Sequence, residues 1–149
     1  MHYPHQFPLY WMALLMSCLL SSPAVVSATD FVIMGGSDPQ RRLVSCIAKA
    51  SAELLPRTSD SLEPMTFVIL EHHKFMATRA AFHAYRTRLA FSNLAIRRVY
   101  LSSRVIADRD TALWVVGYEL GHFVIRDGIE GHAEIAAERI RRAGRQACW

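Results

Sequence analysis

Apolar positions along the chain recur first with a helical period, then with a strand period, then with a helical one again. Ser37-Asp38-Pro39 reads as a helix start, with a capping side chain ahead of Pro in the first turn, and Leu43, Ile47, Ala50 and Leu54 follow at helical spacing up to Pro56. Residues 57–64 are polar and turn-like. Thr66 to Leu70 is a short β-branched and aromatic run that suits a buried strand. Residues Ala81 to Arg88 alternate weakly. Arg98 to Ile106 alternates better, with Val99, Leu101, Ser103 and Val105 on one face and Arg98, Tyr100, Ser102 and Arg104 on the other, which predicts a half-exposed strand. From Asp110 the period is helical, with Leu113, Val116, Leu120 and Val124 on one stripe until Asp127-Gly128. A last helix is predicted over His132 to Ala143, its narrow face of Ala133, Ala136, Ile140 and Ala143 permitting close packing on the helix before it. Helix, strands, then two helices make an α+β arrangement.

Ahead of these elements, Leu9 to Leu20 forms an apolar run, and Val26-Ser27-Ala28 places small side chains where signal peptidase cuts. All 30 Lys, Arg, Asp and Glu residues lie between Asp30 and Arg145. The expected organisation is a secretory signal peptide over residues 1–28 and one domain over residues 29–149, exported to a periplasm or secreted. A second reading takes Leu15-Met16-Ser17-Cys18 as a poor lipobox that lipidates Cys18 as an anchor. Ser21, Ser22 and Pro23 interrupt the run, so it falls short of the ~20 residues of a stable membrane span.

Export changes the meaning of the cysteines. Cys46 and Cys148 stand 102 positions apart in an oxidising setting, where a disulfide is expected and two free thiols are the alternative. In the chain-entropy account so long a loop contributes about 4 to 5 kcal/mol. The formal net charge is +4, and fifteen of the seventeen basic residues are Arg, spread along the chain without a nucleic-acid motif. A nucleic-acid partner is therefore not expected.

Candidate chemistry sits in Val116-Gly117-Tyr118-Glu119-Leu120-Gly121-His122. On a zinc hydrolase helix, residues at i and i+4 share a face and grip one metal, and the Glu after the first ligand serves as general base. Tyr118, Glu119 and His122 occupy those three places. A third ligand would come from the next helix, where Glu134 and, one turn on, Glu138 lie. The plain alternative is an ordinary i,i+4 ion pair of Glu138 with Arg142. His72-His73 reads as a surface pair ending the first strand, and His83 as a packing residue on a strand. Trp114, Tyr118 and Ile125 read as a partly buried stripe. Gly117 and Gly121 weaken their helix by ~1 kcal/mol each, which points to close approach of a neighbouring element.

The segment resembles the gluzincin metallopeptidases of the type that includes the CAAX prenyl endopeptidases and the bacterial membrane heat-shock peptidases. Their HExxH followed by ExxxD corresponds to Tyr-Glu-Leu-Gly-His at 118–122 and Glu-Ile-Ala-Ala-Glu at 134–138. Upstream, Asn93-Leu94-Ala95 and Arg98-Val99-Tyr100-Leu101-Ser102 look like the family's edge-strand region, and Asp110 opens the active helix. The resemblance implies a minimal zincin-like domain: a small mixed sheet with an edge strand near Arg98 to Ser103, a backing helix, the active-site helix and a Glu-bearing C-terminal helix. It implies Glu119 as general base, His122 and Glu134 as zinc ligands, and Glu138 as a carboxylate orienting a ligand. Two positions depart from the pattern. Tyr118 stands where the first ligand His belongs, and could serve only as a phenolate; Glu138 stands where an Asp belongs. His132 points to a different face of its helix from Glu134. Two functions are expected from this: an exported zinc metallopeptidase with a site degenerate at Tyr118, or an inactive pseudopeptidase that binds a peptide or protein partner through the cleft and edge strand.

Overall fold

The computed structural model describes residues 31–54, 64–84, 89–124 and 130–149. Residues 1–30, where the signal peptide and the Cys18 motif are expected, and Pro56, Ile125 and Asp127-Gly128 lie outside the described residues. The chain runs β1 (Phe31–Gly35), α1 (Asp38–Ser51) with a 3-10 turn at Ala52–Leu54, β2 (Met65–Leu70), α2 (His72–Ala81), β3 (Ala90–Asn93), β4 (Arg98–Ser102), a 3-10 turn at Val105–Ala107, α3 (Arg109–Val124) and α4 (Glu130–Cys148). The sheet order is β1-β2-β4-β3, with β1, β2 and β4 parallel and β3 antiparallel to β4. The fold is α+β with a small mixed sheet.

Two layers of helix cover the sheet. On one face α1, α3 and α4 close over a core that includes Val44, Ile47, Phe67, Leu101, Val116, Leu120 and Ile140. On the other face α2 contributes Phe75 against Phe91 and Tyr100, whose rings stack at 4.7 Å. That second layer explains β4: Val99, Tyr100, Leu101 and Ser102 are all buried, so the strand is not half-exposed. Nor is it the edge. It lies between β2 and β3, and the edges are β3 and, at the far side, β1, because the chain crosses from β2 to a hairpin whose second arm takes the inner place.

The helix starts follow from local hydrogen bonding. Gln40 Oε1 accepts the Ser37 amide at 2.8 Å, the return half of a capping box, while its Nε2 donates to the Ser103 carbonyl at 3.0 Å and ties α1 to the end of β4. Elements with little apolar signal depart from expectation. Residues 72–81 form a helix that buries a single side chain, Phe75, so His72-His73 opens α2 and does not end a strand. His83 sits at φ 54 in the turn after α2 and belongs to no strand. α4 extends past Ala143 to Cys148, where the Cys46–Cys148 disulfide joins it to α1 with 5.9 Å between Cα atoms. Among the described residues no helix is long and apolar enough to cross a membrane.

Close approach is the reason for the two glycines of α3. A Cβ on Gly121 would lie 2.4 Å from the Ala133 carbonyl oxygen, and one on Gly117 3.1 Å from that of Ala137, both on α4. Small residues on both sides let the backbones meet. Gly131, by contrast, has nothing within 4 Å of the same position. Gly121→Ala is therefore expected to destabilise the domain by about 1 to 3 kcal/mol through overpacking against backbone, despite its better helix propensity. Gly131→Ala should be neutral or stabilising by up to ~1 kcal/mol. Chemical denaturation of the two variants checks this, and equal effects would contradict it.

Candidate functional site

Helix α3 carries the candidate chemistry and is held at both ends. Its cap is Asp108, whose carboxylate accepts the Thr111 amide at 2.7 Å while its carbonyl accepts the Ala112 amide at 2.9 Å. The Thr111 amide, then the Thr111 hydroxyl, hold the Asp108 carboxyl below its ordinary value. A lowered folded pKa means the cap stabilises fully above the usual carboxylate range and is lost as pH falls through the lowered value. Asp110, in the first turn of the helix, reaches across to Arg145 of α4 at 3.2 Å.

One turn short of the far end, Glu119 is 4% exposed, between α3 and the sheet. The Ser92 hydroxyl on β3 donates to Glu119 Oε2 at 2.6 Å and also lies 3.3 Å from the Glu119 carbonyl oxygen. A buried carboxylate needs donors to stay in place, and Ser92 is one of them. Nothing in the pattern of the sequence singles out Ser92, because only the β3–β4 register brings it to α3. In that register Ala90 faces Leu101 and Ser92 faces Val99, and the Ser102 amide donates to the Leu89 carbonyl at 3.0 Å. Bonded pairs alternate along an antiparallel ladder, so Phe91 and Asn93 bond inward to β4, and the amides and carbonyls of Ala90 and Ser92 turn to the outer edge.

Tyr118 and His122 lie on the solvent side of α3. The Tyr118 ring stacks on Trp114 at 5.4 Å with an interplanar angle of 10°, and meets the His122 ring edge-on at 4.9 Å. Trp114 is 49% exposed, so the three rings form an open aromatic stripe at i, i+4 and i+8. On α4, Glu134 is exposed, and Glu138 pairs with Arg141 at 3.3 Å and Arg142 at 3.4 Å. The ion-pair reading of Glu138 is the one observed. The His132 side chain lies outside the described residues. Among the described residues no three His, Cys, Asp or Glu side chains come together to hold a metal ion. Tyr118 supplies a phenol whose free pKa is near ~10, and the Glu138 carboxylate is engaged by guanidiniums.

The remaining histidines disperse. His72 Nδ1 lies 3.2 Å from the Ser102 hydroxyl, whereas His73 pairs with Glu71 at the surface. Comparison with protein-family models, curated protein sequences and solved structures returns no match.

The Ser92–Glu119 contact can be measured directly. Ser92→Ala removes a donor from a buried carboxylate and is expected to cost about 1 to 3 kcal/mol. In a double-mutant cycle with Glu119→Gln the two changes should couple by at least ~0.5 kcal/mol. Additive losses in urea melts would show that the hydroxyl and the carboxylate do not support each other.

Proposed function

We propose that this chain is a metallopeptidase-like domain that binds an extended protein segment in its cleft without cutting it. The observation that carries this reading is Tyr118. At the place where the resemblance puts the first metal-binding imidazole stands a phenol, its ring stacked on Trp114 and set against His122. The ion pairing of Glu138 supports it, since that carboxylate is turned to arginines.

Binding follows from the edge strand. The outward amide and carbonyl of Ser92 offer a pairing point to an incoming strand, while Ala90 beside it is buried, and main-chain pairing supplies affinity with little sequence preference. The Trp114, Tyr118 and His122 rings offer surface to side chains of that segment. Glu119, in this reading, belongs to the scaffold: with Ser92 it ties β3 to α3 and fixes the edge strand in place. Export and signal cleavage, as the leader suggests, would place the domain where its disulfide persists.

The rival reading is an active zinc peptidase, favoured by the spacing of Glu119 and His122. One substitution separates the two. Tyr118→His is expected to raise zinc affinity by about tenfold or more, since it adds an imidazole one turn from His122. Zinc stoichiometry and casein hydrolysis would be measured for both proteins. A wild type that already binds one zinc tightly, with no gain from Tyr118→His, contradicts the pseudopeptidase reading.

A further inference from the structure

We infer that the Cys46–Cys148 disulfide is a thiol-exchange site, reached through the cleft that it lines and open to dithiol reductants. The cleft has a volume of about 520 Å³ and brings both cysteines together with Ser37, Gln40, Arg42 and Arg109. Neither cysteine is buried. Two arginines, Arg42 and Arg109, line the same cleft as the bond. Arg42 precedes Cys46 by one turn on the same face of α1. The Arg109 guanidinium carbon lies 5.7 Å over the ring of Trp149, the residue after Cys148. Asp38, the acid in the first turn of α1, is paired with Arg41, which leaves Arg42 to the cleft.

Exchange rate depends on access to sulfur and on how well the departing thiolate is stabilised, and neighbouring cations lower the cost of that thiolate. Here both conditions meet. A thiolate of the dithiol attacks one cysteine sulfur, the S–S bond breaks, and its electron pair leaves on the other cysteine beside an arginine. The second thiol of the reductant loses its proton to water and attacks the mixed disulfide. The second cysteine departs as thiolate, the reductant leaves as a cyclic disulfide, and two electrons have passed to the protein.

Opening the bond does not require unfolding. Beneath the disulfide, α4 seats Gly144 against Leu113 and Ile47, and Ile140 is fully buried in the same core. α1, α3 and α4 are thus packed together by apolar contact apart from the bond, so reduction frees the last turn and leaves the domain folded.

The test is native-state reduction of the full chain by dithiothreitol, after Cys18 has been alkylated, with acid quench and mass detection of new thiols. The expected rate rises in proportion to dithiothreitol and exceeds the rate of global unfolding measured in parallel. Arg42→Ala and Arg109→Ala should each slow it by about threefold, and the Lys variants should restore most of the loss. Circular dichroism of the reduced protein should remain native. A rate that levels off at the unfolding rate overturns the proposal, because the bond would then be reached only in the open chain. A rate unchanged when both guanidiniums are removed overturns it as well.

Discussion

The contact of α3 with α4 through Gly117, Gly121, Ala133 and Ala137 sets the geometry of the helical layer. With a Cβ on Gly121 only 2.4 Å from a backbone oxygen, the helices could not keep this spacing, and α4 would have to move away. Its position in turn places Gly144 on Leu113 and Ile47, brings Arg145 to Asp110 and carries Cys148 to Cys46. A helix interior gives up ~1 kcal/mol of propensity at each glycine, and the tight interface offsets it. Trp114, Tyr118 and His122 run along α3 beside the glycines that meet α4, with Trp114 the most exposed of the three.

Much of this architecture was legible because burial imposes a period. α1, α3, α4, β2 and β4 each bury a continuous face, and their apolar residues recur accordingly. α2 was not legible, since it covers the sheet through Phe75 and otherwise faces water. β3 is four residues long, too short for any alternation to rise above chance. The assignment of the edge to Arg98–Ser103 failed for a related reason: strand order is a property of the crossover, and local pattern does not carry it. The half-exposure expected of that strand failed because the missing α2 supplies its second cover.

The candidate site divides in the same way. The helical spacing of Tyr118, Glu119 and His122 is a local fact, and the structure retains it on α3. Which groups those side chains meet is not local. Ser92 comes to Glu119 through a register shared by β3, β4 and α3, and Arg141 and Arg142 take Glu138 in competition with any other use of that carboxylate. A buried carboxylate fastened to the edge strand serves a scaffold as well as it would serve a reaction. The proposed reading turns on Tyr118, because at the position where the resemblance expects an imidazole it puts a phenol that zinc would have to deprotonate at considerable cost.

The most direct test of strand addition is amide hydrogen exchange on β3 with and without unfolded casein as an extended chain. Ala90 and Ser92 carry the outward amides, whereas those of Phe91 and Asn93 are already bonded to β4 in this register. Strand addition predicts slowed exchange at Ser92, little change at Phe91, Asn93 and the buried Ala90, and casein recovered at full length in the presence of zinc. Cleaved casein, or exchange at Ser92 unaltered at saturating casein, would contradict a domain that holds an extended chain without cutting it.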